Sequence, residues 1–295
     1  SFINKFVVMC IHISIYVKTK PVLPFLETMI TQVCNLACVG CTNYSDLSHK
    51  GYVTWEDGKQ QLEKWLEIID IPDFGIMGGE PLINPQVEKW IVGVRELLPH
   101  AQIRFTTNGL LLHKHPNIID LMHELGNVVF KITAHTPENE SLKTEIDSTF
   151  SKFKWDEVTE YGVTRWKTTN NFRLQINYPD SFIKTFNGDY GNMSPFDSSP
   201  EDAFKSCIQQ TCPLLYNGKI YKCSTAGLLK DTLIFNDVND SLWVLDDGIS
   251  ATGTQESINA FIDNFGKPSP LCSQCPTSED THNIILHNET SVTYK

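Results

Sequence analysis

Residues 25–41, FLETMITQVCNLACVGC, hold the reading that decides the fold. An apolar, threonine-containing run over 25–33 ends at Cys34, and Cys38 and Cys41 follow within one short loop. The pattern predicts a strand with a thiol-bearing loop at its carboxyl end. Outward from it, strand and helix alternate. Thr54 is a candidate N-cap, and Leu62, Trp65, Leu66 and Ile69 then share one helical face. A short strand over 74–77 is stopped by Gly78 and Gly79, and Asn84 and Pro85 read as N-cap and first helical residue. Val87, Trp90, Ile91, Val94 and Leu98 recur at helical spacing. A strand over 103–107 ends at Asn108 and Gly109. The next helix, carrying Ile118, Ile119, Met122 and Leu125, stops at Gly126. Further strands are expected over 128–133 and 172–178. Alternating β and α argues for a parallel sheet with crossover helices, either doubly wound or a full or partial barrel. Residues 184–200 read as a long loop, and short strands with cysteines follow.

The chain has 295 residues, which suggests about two domains or one barrel-sized unit with an appendage. With 41% hydrophobic and 20% charged residues it is neither disordered nor fibrous. Lys and Arg number 24 against 35 Asp and Glu, a net charge of −11 with no long basic run. That balance argues against duplex nucleic acid or an anionic membrane as partner. The apolar run over 6–17 is shorter than the roughly 20 residues of a membrane span. It alternates Ile11, Ile13, Ile15 and Val17 with Cys10, His12, Ser14 and Tyr16, which predicts a strand. It lacks an Ala-x-Ala-like cleavage site, so a cytoplasmic protein is expected. Cys10 reads as a buried core thiol.

Of the nine cysteines, eight fall in two groups, and in a larger chain such clustering points to metal rather than to a disulfide framework. Three thiolates at Cys34, Cys38 and Cys41 can hold three irons of a cubane and leave the fourth open to a ligand. Zinc would compete, with His49 as the nearest further donor. Two more motifs, MGGEP at 77–81 and FTTNG at 105–109, end the next two strands. Paired glycines permit close backbone approach, and Glu80 offers a carboxylate to an ammonium. In α/β sheets ligands bind beyond the carboxyl ends of the strands, so the three motifs converge.

The second group begins at Cys212, followed by Asn217-Gly218 and Cys223. Asn-Gly is a strong hairpin signal, and centring a turn on it pairs Tyr216 with Lys219, Leu215 with Ile220 and Cys212 with Cys223. The two thiols then share a metal or form a disulfide. Cys272 and Cys275 supply a Cys-x2-Cys pair, and a structural zinc would also fit four thiols. For acid–base work, Lys131, Thr133 and His135 alternate on the fourth strand, as do Arg173, Gln175 and Asn177 on the fifth. His135, at the strand end, is the preferred base, with Lys131 beside it.

Cys34-x3-Cys38-x2-Cys41, Gly78 to Pro81 and Thr106 to Gly109 together resemble the radical S-adenosylmethionine superfamily over roughly residues 25–180. The resemblance implies an α/β fold with a partial (β/α)6 TIM-like barrel and a [4Fe-4S] cluster whose open iron is chelated by S-adenosylmethionine. It places Gly78, Gly79, Glu80 and Pro81 at the methionine end of the cofactor, with Thr106 and Asn108 nearby and Thr133 near the ribose. An aromatic residue often precedes the third cysteine in that superfamily. Here it is Gly40, and adenine packing passes to another residue such as Tyr44. The segment from Gly218 to Cys223, with the later pair, resembles the SPASM/twitch appendage in its shorter form. That implies a small C-terminal α+β domain with one auxiliary [4Fe-4S] cluster on Cys212, Cys223, Cys272 and Cys275, leaving Cys207 as a spare that either replaces Cys212 or is simply a buried thiol. The expected division is an N-terminal strand extension at 1–20, the barrel at 21–200 and the auxiliary domain at 201–295.

By the same resemblance, reductive cleavage of the cofactor's sulfonium produces a 5′-deoxyadenosyl radical that abstracts a substrate hydrogen. The cofactors carry the difficult chemistry, and the protein positions groups and excludes water. The expected function is oxidation of a small polar substrate, such as a sugar, nucleoside or amino acid derivative, with the auxiliary cluster as electron acceptor. A reducing partner such as flavodoxin or ferredoxin is implied. Two other readings stand beside it, a peptide- or protein-modifying maturase and a non-enzymatic iron–sulfur electron carrier. The short stretch before the barrel leaves little room for a peptide-recognition domain, and the carrier reading gives Gly78 to Pro81 no purpose.

Overall fold

The computed structural model describes residues 20–135, 139–160, 163–280 and 284–286. The strand expected over 6–17, with Cys10, lies outside the described residues. Within them, β1 (Leu26–Met29), α1 (Trp55–Leu66), β2 (Asp73–Met77), α2 (Val87–Leu97), β3 (Gln102–Thr107), α3 (Ile118–Leu125), β4 (Val128–Thr133) and α4 (Glu140–Lys152) alternate as the sequence pattern requires. An antiparallel hairpin, β5 (Asp156–Glu160) and β6 (Val163–Lys167), then precedes β7 (Phe172–Asn177). The hairpin was not legible, because its residues carry no turn signal of the Asn-Gly kind and no clean apolar alternation.

The C-terminal part adds β8 (Ser181–Ile183), α5 (Pro200–Ser206), β9 (Leu214–Tyr216), β10 (Lys219–Tyr221), α6 (Ser224–Phe235), β11 (Ile249–Ser250), α7 (Gln255–Asp263) and β12 (Ile284–Leu286). One ten-stranded sheet runs β11-β10-β9-β1-β2-β3-β4-β7-β6-β5. Neighbours from β9 through β7 are parallel, and both flanks are antiparallel. This is the parallel-dominated α/β sheet of a partial barrel. The β9–β10 hairpin is not a separate sheet: Glu27 and Thr28 of β1 stand in register with Leu214 and Leu215.

Alternation along each strand divides the sheet into two faces. One carries Leu26, Phe74, Ile76, Ile103, Phe105, Phe130, Ile132, Phe172 and Leu174, packed with Trp65, Trp90, Ile91, Val94, Ile118 and Met122 of the helices. The other carries Glu27, Gly75, Arg104, Thr106, Lys131, Thr133, Gln175 and Asn177. A core on one face and polar groups on the other suit a sheet that holds a ligand on its concave side. Among the described residues no helix is long and apolar enough to cross a membrane.

Two helix starts test the capping logic. Thr54 caps α1, its side chain accepting from the Asp57 N–H. Asn84 does not cap α2, which begins at Val87. Its amide is drawn inward instead, donating to the Ile30 and Val53 carbonyls at 2.9 and 3.0 Å, and it is fully buried. The α1–α2 crossing depends on two glycines. Trp90 lies against Gly58 and Trp55 against Gly93, so that a Cβ would stand 1.9 and 2.1 Å from the respective rings. The two indoles meet edge to face at 5.2 Å. Replacing a helical glycine by alanine ordinarily stabilises by about 1 kcal/mol. Here Gly58→Ala is expected to lower the unfolding free energy by about 1–3 kcal/mol through overpacking, measured by denaturant titration.

Candidate active site

The first thiol loop is positioned by backbone pairing that continues past the ends of β1 and β2. The Gly79 N–H donates to the Thr31 carbonyl and the Glu80 N–H to the Val33 carbonyl, both at 2.8 Å. A Cβ on Gly78 would lie 2.6 Å from the Thr31 oxygen, and one on Gly79 2.5 Å from the Val33 oxygen. The paired glycines are therefore required by the chain segment that leads into Cys34. Gly40 stands at φ +77, a left-handed backbone that disfavours an aromatic residue before Cys41, and a Cβ there would lie 3.2 Å from the Ile285 side chain.

Cys34, Cys38 and Cys41 line one cavity of about 460 Å³. Gly78, Gly79, Thr106, Thr107, Asn108, Lys131, Thr133 and His135 line it too. The strand ends thus bring together most of the residues singled out from sequence. Glu80 and Pro81 are the exceptions: neither lines the cavity, and both are buried. The Glu80 carboxylate is turned into the protein, accepting from the Leu82 N–H at 3.0 Å, the Thr107 hydroxyl at 2.7 Å and the Asn108 N–H at 2.8 Å. Burial pushes its carboxyl up to about 7, against these three hydrogen bonds. In this arrangement it ties the second motif to the third beneath the cavity. Glu80→Ala leaves three donors without their acceptor, and a loss of about 3 kcal/mol in unfolding free energy is expected.

Tyr44, expected at the adenine, does not line the cavity either and is 1% exposed. Aromatic rings at the cavity come instead from Tyr178 and Phe182, in the segment after β7, a contribution sequence reasoning missed. Phe182 stacks on His135 with centroids 5.6 Å apart. His135 Nδ1 stands 3.9 Å from Cys38 Sγ. Lys131 faces the cavity from β4, and among the described residues no hydrogen bond or ion pair holds its ammonium. Burial lowers its pKa.

Burial pushes the thiols of Cys34 and Cys38 up to about 12, and the other cysteines of the loop raise them further. Three mutually opposed thiols beside a polar cavity suit a cationic centre, which would favour their thiolate forms. The Leu36 N–H points at Cys34 Sγ at 3.5 Å, a contact that tunes metal-bound sulfur. Among the described residues no three His, Cys, Asp or Glu side chains are drawn around a point that would hold a single ion. The case therefore rests on donor type and cavity, and these fit a cluster.

The second thiol group differs from the sequence expectation in one member. The hairpin register is as read, Tyr216 with Lys219 and Leu215 with Ile220. Pairing stops at Leu214 with Tyr221, however, and Cys212 does not join Cys223. Pairing to β1 is the reason: the Glu27 N–H donates to the Pro213 carbonyl at 3.0 Å and draws the chain towards the polar face. There the Cys212 thiol feels Glu27, Lys131 and Arg104. Cys207, at the end of α5, takes the vacated place, lining a second cavity with Cys223, Cys272 and Cys275. Backbone N–H groups of Gln209, Ala226 and Ser269 point at Cys207, Cys223 and Cys272 sulfurs at 3.2, 3.4 and 3.5 Å. Four half-buried thiols with such donors fit a closed cluster site. On anaerobic reconstitution, Cys207→Ala is expected to lose about four irons per chain and Cys212→Ala none.

Comparison with known proteins follows this geometry. A sequence profile of the Radical SAM superfamily matches residues 28–169. Molybdenum cofactor biosynthesis protein 1 of Dictyostelium discoideum is 26% identical over 155 residues, 52% of this chain and 23% of that protein. GTP 3′,8-cyclase of Petrotoga mobilis is 31% identical over 100 residues, 31% of this chain and 29% of that enzyme. The chain thus matches less than a third of the length of either. The crystal structure of BtrN in complex with AdoMet and 2-DOIA superposes over 88% of this chain and 95% of that one, with a TM-score of 0.50 and 16% identity. That likeness is one of fold.

Proposed function

Because the chain is an enzyme of the radical S-adenosylmethionine superfamily, a family that uses a [4Fe-4S] cluster and S-adenosylmethionine, we propose that it abstracts hydrogen from a small polar substrate and oxidises it. The carrying observation is the convergence of Cys34, Cys38 and Cys41 with Gly78, Gly79, Thr106, Asn108 and Thr133 on one cavity. Cys34, Cys38 and Cys41 would hold the cluster, whose chemistry with bound S-adenosylmethionine is one-electron sulfonium cleavage and hydrogen abstraction. Gly78 and Gly79 leave backbone at the cavity wall without side chains, where a methionine moiety can approach. Thr133 would bond the ribose, and Phe182 or Tyr178 would cover the adenine. Glu80 acts indirectly, fixing Asn108 and the loop before Leu82.

The substrate would sit on the polar face between Lys131, Asn177 and the thiol loop. Of the two basic groups, Lys131 suits removal of the second proton. It is unpaired among the described residues, and burial favours its neutral amine. His135, stacked on Phe182 and close to Cys38, orients rather than deprotonates. Cys207, Cys223, Cys272 and Cys275 would hold an auxiliary cluster that accepts the substrate's electron. A reducing partner such as flavodoxin or ferredoxin would supply the first electron.

The Cys34→Ala, Cys38→Ala, Cys41→Ala triple variant is expected to form no 5′-deoxyadenosine while keeping the iron of the C-terminal thiols. Chromatographic assay of the reduced, reconstituted protein with S-adenosylmethionine reads the first outcome, and iron counting the second. Cofactor cleavage by the triple variant would overturn the assignment.

A further inference from the structure

Neither the barrel core nor the cavity accounts for Tyr44. Its backbone is left-handed, at φ 52, a conformation that a bulky residue seldom adopts and that marks local strain. Two contacts hold it there. Its N–H donates to the Cys41 carbonyl at 3.0 Å, and its own carbonyl meets His49 Nε2 at 2.9 Å. The result is a ring driven into the protein beside the first thiol loop, with Met29, Phe186, Leu214 and Leu228 in the same apolar cluster. At the far end of the ring, the hydroxyl shares a hydrogen bond of 3.3 Å with Thr185 Oγ1. Thr185 in turn lines the cavity of Cys207, Cys223, Cys272 and Cys275. Burial, the largest cause, pushes the phenol's pKa up, the Thr185 hydrogen bond opposes it, and Cys275, Cys223 and Cys41 add to it.

Tyr44 therefore runs from the backbone of one thiol group to the wall of the other, through a packed apolar cluster. We propose that Tyr44 is a positioning residue for electron passage, its ring and its hydroxyl bond to Thr185 joining the iron held by Cys41 to the iron held by the C-terminal thiols. Electrons tunnel more readily through bonded and hydrogen-bonded atoms than across gaps, and a dry, packed ring reorganises little when charge passes. The step is one electron out of the reduced C-terminal site and into the oxidised N-terminal site. No bond forms or breaks, no proton moves, and Tyr44 remains a neutral phenol throughout. An electron taken from substrate can then return to the first site without leaving the protein.

This inference rests on the two-cluster reading above, and its test separates the two. Reconstituted wild type, Y44F, Y44L and T185V are given less than one electron equivalent of dithionite, frozen at increasing times and examined by electron paramagnetic resonance for the signals of both reduced sites. Iron content and thermal midpoint are measured on the same samples. Wild type is expected to hold about eight irons and to equilibrate in a fast phase. Y44L is expected to lose that phase with its iron retained. Y44F and T185V, which break only the hydroxyl contact, lose it to a smaller degree. A Y44L protein that loses iron is replaced in the comparison by Y44F and T185V, which keep the ring. About eight irons with exchange indifferent to these substitutions overturns the inference alone. About four irons in wild type defeats the two-cluster reading and this inference with it.

Discussion

The site depends on a close approach of two backbones. Residues 31–33 and Gly78 to Glu80 continue the β1–β2 pairing beyond the regular strands, through hydrogen bonds of 2.8 Å and an approach that leaves no room for a Cβ on Gly78 or Gly79. Because that contact fixes the direction in which the chain leaves β1, it also fixes where Cys34, Cys38 and Cys41 face. Glu80 extends the clamp to the third strand end by holding the Asn108 N–H and the Thr107 hydroxyl. Three loops that the sequence separates are thereby locked into one wall. The motif does two things at once: its glycines serve the protein's own packing and leave bare backbone at the cavity.

The same sheet reaches the second thiol group through β10, after which Cys223 follows. The pairing of β9 with β1 makes the C-terminal hairpin an extension of the barrel edge. Since β1 also leads into the first thiol loop, that strand links the first loop to the hairpin that precedes Cys223. Tyr44 and Thr185 then close the distance between them from the loop side. Electron passage between the two proposed metal sites would need such rigidity, because it is sensitive to separation.

Much of this was legible in the sequence, for physical reasons that can be named. The α1 and α2 faces follow from helical spacing of tryptophan and aliphatic residues, and the convergence of motifs follows from the rule that α/β sheets bind ligands at strand ends. The hairpin register followed from Asn217-Gly218, with both residues at positive φ. Reading that register two pairs too far put Cys212 opposite Cys223. Local turn chemistry carries no information about β1, and the contact that diverts Cys212 comes from Glu27, far away in sequence. Glu80 misled in the opposite way. A carboxylate beside paired glycines suggested a ligand contact, whereas the donors that claim it lie on another strand end. Phe182 and Tyr178 were missed because a loop after the last barrel strand has no periodicity to reveal which side chains turn inward.

The central claim is that the iron at the first thiol loop has one coordination position free of protein, open to S-adenosylmethionine. Electron–nuclear double resonance on the reduced, reconstituted protein with cofactor isotopically labelled at its amino nitrogen and carboxylate oxygen reads that position directly. The account predicts strong hyperfine coupling of both labels to the cluster on Cys34, Cys38 and Cys41, unchanged in the Cys207→Ala variant. Absence of that coupling in protein with a full complement of iron, or a single zinc ion at the three thiols, would contradict it.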